Sequence, residues 1–317
     1  MTDPAQPATA ALPASSLRVW AALGAVYLIW GSTYLAIRVM VETVPALLGA
    51  GIRFVLAGVL LLALLAIRGG ARRVVLDRRM LLRVALVGTL LAAGGNGLVT
   101  IAEKNVPSAL AALIVASTPL WIVVFRSVFH DRPATTTLAG VALGFLGVAL
   151  LLLPGNRPDG VELLPTLVIV LAAVSWGFGS FLSQRMTMPG DPLVSTGWQM
   201  LAGGVVLMIV AVPTGEYGEF DVGEFSGDSI WALIFLVVVG SLVAYSAYTW
   251  LLQSAPISQV ATYAYVNPMV AVLLGWLILD EHIPPMMLVA SVVIVAAVAT
   301  IVRNEARARQ AVARRAT

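Results

Sequence analysis

Hydrophobic residues in this chain gather into long runs broken by short polar stretches. A helical bilayer crossing takes roughly 20 mainly apolar residues. Ten stretches meet that length, at 19–40, 46–67, 80–101, 106–128, 136–154, 163–184, 193–212, 229–252, 258–279 and 285–302. The connections are short; even the two longest, 68–79 and 213–228, leave no room for a separate soluble domain. Inside several runs polar or aromatic residues recur every three or four positions, the spacing of one helical face. The first run carries Tyr27, Trp30, Tyr34 and Arg38. The third carries Thr89, Ala93, Asn96, Thr100 and Glu103, the sixth Trp176, Ser180 and Gln184, and the eighth Ser241, Tyr245 and Tyr248. Lipid offers such faces no partner, so they are expected to look into the bundle. For a single Ser or Thr, hydrogen bonding between helices is the simpler account. Four stripes together, rich in Trp and Tyr, favour a cavity.

The runs also repeat. Trp30-Gly31 recurs as Trp176-Gly177, and Gly51 and Gly58 recur as Gly197 and Gly204, all at an offset of 146. Each copy holds five runs, an odd number, so the second copy sits upside down relative to the first. Inverted repeats of this kind mark secondary transporters, with the substrate site between the halves. The expected organisation is a disordered cytoplasmic tail over 1–18, a five-helix repeat over 19–154, its inverted copy over 163–302 and a basic cytoplasmic tail over 303–317. The fold class expected is all-α and integral to the membrane, with ten transmembrane helices as two inverted five-helix repeats around a central cavity. Proline interrupts matching runs, Pro119 in the fourth and Pro268 in the ninth, an offset of 149. Each removes a backbone donor and frees a carbonyl, so both are expected to mark helix breaks near the site. In the fifth run Gly140, Gly144 and Gly147 give a small-residue face suited to close helix packing, within the bundle or between two copies.

Composition agrees with the pattern: 60% of residues are hydrophobic and 11% charged, whereas a soluble domain averages roughly 25% charged. Without cysteine there is no disulfide, thiolate metal site or Cys nucleophile. The N-terminal stretch lacks the basic region of a cleaved signal peptide. Charge then sets the orientation. With the N-terminus inside, fifteen arginines fall on the cytoplasmic side: Arg18, Arg68, Arg72, Arg73, Arg78, Arg79, Arg83, Arg126, Arg132, Arg185, Arg303, Arg307, Arg309, Arg314 and Arg315. Only Arg38, Lys104 and Arg157 fall outside, which places both termini in the cytoplasm by the excess of positive charge there. The pI near 9.5 is therefore a topological signal, and no nucleic-acid partner is expected.

Arg53 is the one charge well inside a run. A buried guanidinium costs at least about 2.5–3.5 kcal/mol on insertion scales, so it needs a partner or a role. It could anchor a substrate carboxylate or phosphate, with Glu103 a second possible charge anchor. The structural alternative, slightly favoured, pairs Arg53 outward with Glu42 or Glu103. Its counterpart in the second copy is Gln199. No Walker A motif surrounds the single lysine, Lys104, and no His/Glu zinc pattern exists, so no ATPase, metal or cofactor is expected. His130 and His282 fall at membrane edges. No acidic residue lies mid-run to relay protons; Glu103, Asp280 and Glu281 remain at the outer ends.

The run Tyr27-Leu-Ile-Trp-Gly-Ser-Thr-Tyr-Leu-Ala-Ile-Arg38 and the following Gly51-Ile-Arg-Phe-Val-Leu-Ala-Gly58 resemble the drug/metabolite transporter superfamily, EamA type. Gly95-Asn-Gly97, Asn105-Val-Pro-Ser108 and Ala261-Thr-Tyr-Ala-Tyr-Val-Asn-Pro268 are similar to the YedA-like exporters within it. The resemblance covers about 19–302. It implies two inverted five-helix repeats around a cavity, and export of small metabolites such as amino acids, or of drugs. The acidic residue that often follows the broken run in this family stands here as Glu281 in the second copy. At the matching place of the first copy is Arg132, beside Asp131, which breaks the pseudo-symmetry. The substrate-binding residues expected are Trp30, Tyr34, Asn96, Trp176, Tyr245, Tyr248, Tyr263 and Asn267. The partners expected are a small-molecule substrate and membrane lipid, the chain being a monomer or a homodimer. An importer, a lipid scramblase, a channel or a lipid-modifying enzyme are the rival readings; the last lacks any cluster of a nucleophile with acid and base groups at membrane depth.

Overall fold

The computed structural model describes residues 16–129, 133–153, 158 and 160–316. The first fifteen residues of the expected tail, and His130, Asp131, Arg132 and Arg157, lie outside the described residues. The ten apolar runs form ten helices: α1 (Ser16–Met40), α2 (Ala46–Gly69), α3 (Arg78–Ala102), α4 (Ser108–Val128), α5 (Thr135–Leu152), α6 (Leu163–Arg185), α7 (Pro192–Val210), α8 (Gly227–Ser254), α9 (Tyr263–Leu279) and α10 (Pro285–Ala316). The first eight are long and apolar enough to span a bilayer, and the last two carry shorter apolar stretches, Val266–Leu279 and Pro285–Ile301. Large apolar side chains such as Trp20, Ile67, Trp231, Trp276 and Val292 point outward, as a lipid-facing surface requires. α10 continues as helix into the basic tail.

The starts of α2, α3, α4, α7 and α8 are held by acids or hydroxyls, because the first backbone N–H groups of a helix lack partners. On the cytoplasmic side Asp77 accepts from Met80 N at 2.8 Å and Asp191 from Leu193 N at 3.0 Å. Asp191 also pairs with Arg73 at 2.7 Å, which ties the α2–α3 connection to the start of α7. On the outer side one cap comes from distant chain and another from the residue that opens its own helix. Glu216, in the acidic loop after α7, accepts from Leu48 N of α2 at 2.9 Å, and Ser226 Oγ caps its own helix by accepting from Ser229 N at 3.1 Å.

The two halves cross at glycines. A Cβ on Gly58 would stand 2.7 Å from Leu201 N and 2.8 Å from Gly197 O. At the equivalent place, a Cβ on Gly204 would stand 2.7 Å from Val55 N and 2.9 Å from Gly51 O. These are the glycines of the 146-residue repeat, so the approximate two-fold axis runs between α2 and α7. Flanking it, the backbone of α3 at Gly88 lies directly on Gln199 of α7, and α8 at Gly240 lies beside Arg53 of α2. Without side chains in the way, backbones approach closely enough for dispersion to hold helices together inside lipid.

Two further repeats are structural. α3 widens into a π-helical stretch over Thr89–Gly97 and α8 into another over Leu236–Tyr245. Gly140, Gly144 and Gly147 of α5 face Ile301, Ala297 and Ile294 of α10, so this small-residue face is used for packing within the chain.

The helix breaks sit elsewhere than expected. In the fourth span the chain turns at Ala116–Ser117, and Pro119 occupies the first turn of the helix that follows, where its missing N–H costs nothing. In the second copy the turn is at Ala261–Thr262, after the short helix Ile257–Val260, and Pro268 lies inside a continuous helix. The breaks are paired as expected, but each precedes its proline.

Candidate functional site

Trp30 of α1 and Trp176 of α6, the two tryptophans related by the repeat, meet edge to face with ring centroids 5.3 Å apart and planes at 86°. Each is fixed by a bond into the second half's α8. Trp30 Nε1 donates to the carbonyl of Gly240 at 3.3 Å, and Trp176 Nε1 donates to the Tyr248 hydroxyl at 3.2 Å. The π-helical stretches receive these approaches reciprocally: Ser175 of the second half donates to the Leu90 carbonyl in the first half's widened turn at 2.8 Å. Gly94 and Gly95 in that turn have no side chain to keep Ser175 and Trp176 away. Such wide turns recur at functional sites.

Trp30, Thr33, Tyr34, Ile37, Asn96, Val99, Val115, Trp176, Tyr263 and Asn267, with Gly95 and Ala172, surround a cavity of about 50 Å³. Six of the eight residues expected to bind substrate thus share one cavity, and it draws on both halves. Tyr245 and Tyr248 do not line it. They stand behind the tryptophans, 0% and 1% exposed, with Tyr248 4.8 Å from Trp30 and bonded to Ser180 Oγ at 2.8 Å. The Ser180–Tyr248 pair is the helix-to-helix bond that the polar stripes offered as the simpler account. Gln184, the last member of its stripe, is exposed and outside the bundle core. Asn267 is turned so that its amide nitrogen donates to the carbonyls of Tyr263 and Tyr27, at 3.2 and 3.1 Å. Thr33, Ile37, Val99, Val115 and Ala172 line the cavity without belonging to the expected set. Thr33 sits one turn from Trp30, a signal the stripe could have carried; Val115 has none.

Arg53 is buried without the partner expected for it. Its Nε donates to Ser241 Oγ at 2.8 Å, its guanidinium carbon lies 4.6 Å from the Phe54 ring centroid, and Nη1 has no acceptor. Neither Glu42 nor Glu103 bonds to it. The reason is geometric: α8 lies against α2 at Gly240 and presents Ser241 first.

Contacts between elements also hold both ends of the bundle. Towards the cytoplasm, Phe125 and Phe129 of α4 pack on Phe178 and Phe181 of α6, with Arg185 over Phe181. At the outer end, Arg38 of α1 donates to the carbonyls of Glu103 and Lys104. Glu281, after α9, caps α4 by accepting from Ser108 N at 2.7 Å and Ala109 N at 3.0 Å. A charge at a helix N-terminus holding two N–H groups contributes about 1 kcal/mol. Glu281→Gln is accordingly expected to lower the melting temperature of the solubilised protein by a few degrees; an unchanged melting curve would remove the cap from the account. Among the described residues no group of three or more His, Asp or Glu side chains is placed to hold a metal ion.

Comparison with known proteins fits this geometry. The EamA-like transporter family matches residues 18–153 and again 163–303, one match in each half. The uncharacterized inner membrane transporter YedA of Escherichia coli K12 is 41% identical over 263 residues, 82% of either chain. An S-adenosylmethionine/S-adenosylhomocysteine transporter of Chlamydia trachomatis is 27% identical over 83% of this chain and 82% of its own. One crystal structure shares the fold with a TM-score of 0.65 at 21% identity, covering 91% of this chain and 98% of that one. A multi-pass inner-membrane protein with a matched domain in each half, this chain belongs to the EamA-like transporter family.

Proposed function

We propose that this protein is a secondary transporter that carries a small metabolite or drug across the membrane by alternating access, its five-helix units 19–154 and 163–302 rocking about the glycine crossing of α2 and α7. The observation that carries this reading is the cavity between Trp30 and Trp176, walled by both halves with aromatic rings and two amides. Small-molecule sites occupy roughly 300–1,000 Å³, several times the 50 Å³ seen here. Binding therefore requires the halves to part, and the contacts at either end are what would open in turn.

Trp30, Trp176 and Tyr263 supply flat apolar faces that also attract cations, while Asn96 and Asn267 supply hydrogen bonds. That combination suits amino acids and related compounds with an apolar or cationic part. Export is the direction that the family resemblance implies. Arg53, which like Thr33 lies against Gly240, would attract a substrate anion once the site widens.

The test is a thermal-shift panel of amino acids, nucleobases and cationic drugs on the purified protein, followed by counterflow of each stabilising compound in proteoliposomes. A ligand at a hundred times its Kd stabilises by about 2.7 kcal/mol, well within detection. Asn96→Ala should abolish counterflow while leaving expression intact. Counterflow undiminished in that variant would sink the assignment of the cavity, and uptake confined to inside-out vesicles, against right-side-out ones, would establish export.

A further inference from the structure

Glu103 closes the outer end of α3 and is fully buried, with no hydrogen-bond partner on either carboxyl oxygen. The charged groups around it are all committed elsewhere. Arg38 of α1 bonds to the backbone carbonyls of Glu103 and Lys104 rather than to the carboxylate. Arg53 of α2 is turned to Ser241 and the Phe54 ring. Glu281, following α9, is held by the N-terminus of α4 and adds a negative charge nearby. Tyr34 of α1 is the polar group of the cavity wall on this side. Lys104 itself is exposed. A carboxylate with both oxygens stripped of water and of donors costs several kcal/mol, far more than the neutral acid. Burial accordingly pushes the Glu103 carboxyl well above the ordinary carboxylate range, Glu281 pushes the same way, and Arg38 and Arg53 offset only part of it.

We infer that Glu103 is a proton-exchanging group of the transport cycle: it holds a proton on its carboxyl oxygen while the outer end is closed, and releases that proton to the outer aqueous phase when the turn between α3 and α4 opens. The inference rests on the transporter reading and adds to it that outward opening is linked to proton release. Only an O–H bond breaks, the proton passing to water. The sign follows from linkage. A carboxyl whose value is raised in the closed form favours that form fully below its open-form value, near 4.3 for a solvated Glu. That advantage is lost as pH rises through the closed-form value. Between the two, the open-to-closed ratio rises by up to about tenfold per pH unit for one proton.

The absence of cysteine makes this measurable without knowing the substrate. Ile37→Cys places a thiol on the cavity wall just below Arg38, where it is 2% exposed in the closed form. Its labelling by a membrane-impermeant maleimide is followed from the outside of right-side-out vesicles between pH 6 and 9. The rate is divided by that of Gly218→Cys, in the exposed outer loop, which removes the thiol's own pH dependence. The ratio is expected to rise severalfold per pH unit and to be flat in the Glu103→Gln background, with the slope retained in Glu281→Gln. A ratio independent of pH, a slope surviving Glu103→Gln, or a slope abolished only by Glu281→Gln would each overturn the inference. Should Glu103→Gln fail to fold, infrared spectra of the full chain decide it: a protonated-carboxyl stretch at pH 7 supports the inference, and its absence overturns it. Failure of the transporter reading looks different, as missing counterflow with the pH slope intact.

Discussion

Gly88→Ala is expected to yield a protein that is barely recoverable in folded form. A Cβ at Gly88 would land on the backbone of Gln199, and the opposing Gly203 already brings its own Cα hydrogens within reach of the Gly88 carbonyl, where a Cβ would stand 2.6 Å away. Backbone cannot rotate aside as a flexible side chain does, so α3 and α7 must separate along several turns. Overpacking of this kind costs about 1–3 kcal/mol where side chains can yield, and more where they cannot. The opposing gain in helix propensity from Gly to Ala is only about 1 kcal/mol. Loss of the monodisperse peak on size exclusion after mild heating is the readout. Gly24→Ala serves as the control, because nothing lies within 4 Å of the added methyl group, and it should melt with the parent protein. If Gly88→Ala melts there too, the close crossing of α3 and α7 is wrong.

Trp30→Ala is expected to remove transport altogether and to weaken the fold. Trp30 is the hub of the site, with ring centroids of Trp176, Tyr248, Tyr263 and Tyr245 at 5.3, 4.8, 5.5 and 6.5 Å. Truncating a buried Trp costs about 3–5 kcal/mol in soluble cores. In lipid the unfolded reference keeps much of the apolar transfer term, so the lower end of that range applies. Trp30→Phe separates the two consequences: it keeps most of the aromatic wall, loses the bond to the Gly240 carbonyl, and should restore stability more fully than it restores counterflow. Equal recovery of both would mean that Trp30 serves packing alone.

The halves share their packing and differ in their chemistry. Gln199 occupies in the second half the place of Arg53 in the first; it bonds to Ser195 Oγ at 2.9 Å within its own helix and to Tyr245 at 3.4 Å, so it is satisfied where Arg53 is not. Among the described residues, the charged groups with buried unpaired atoms, Arg53 Nη1 and the Glu103 carboxyl, both belong to the first half. In the proposed cycle the symmetric frame would supply two equivalent end states for rocking, and the asymmetric charges would give ligand and proton one side to address.

Spans and inverted repeat were legible in the chain because each rests on quantities summed over many residues: apolar length against bilayer thickness, and recurrence of Trp-Gly and Gly pairs at one offset. Those sums also placed six cavity residues, since a residue that is polar or aromatic on the buried face of two related helices has little else to face. The tertiary structure alone decided what stands opposite each of them. Helical periodicity tells which side of a helix turns inward, not which neighbour arrives there, so Arg53 met Ser241 rather than an acid, and Tyr245 and Tyr248 fell behind the tryptophans. The widened turns over Thr89–Gly97 and Leu236–Tyr245 add to this, because one extra residue in a turn rotates everything beyond it by about 100°. Nothing local in the sequence marks that extra residue: it is fixed by Trp30 and Ser175 reaching across from the opposite halves to the carbonyls of Gly240 and Leu90, partners that only the folded bundle brings together.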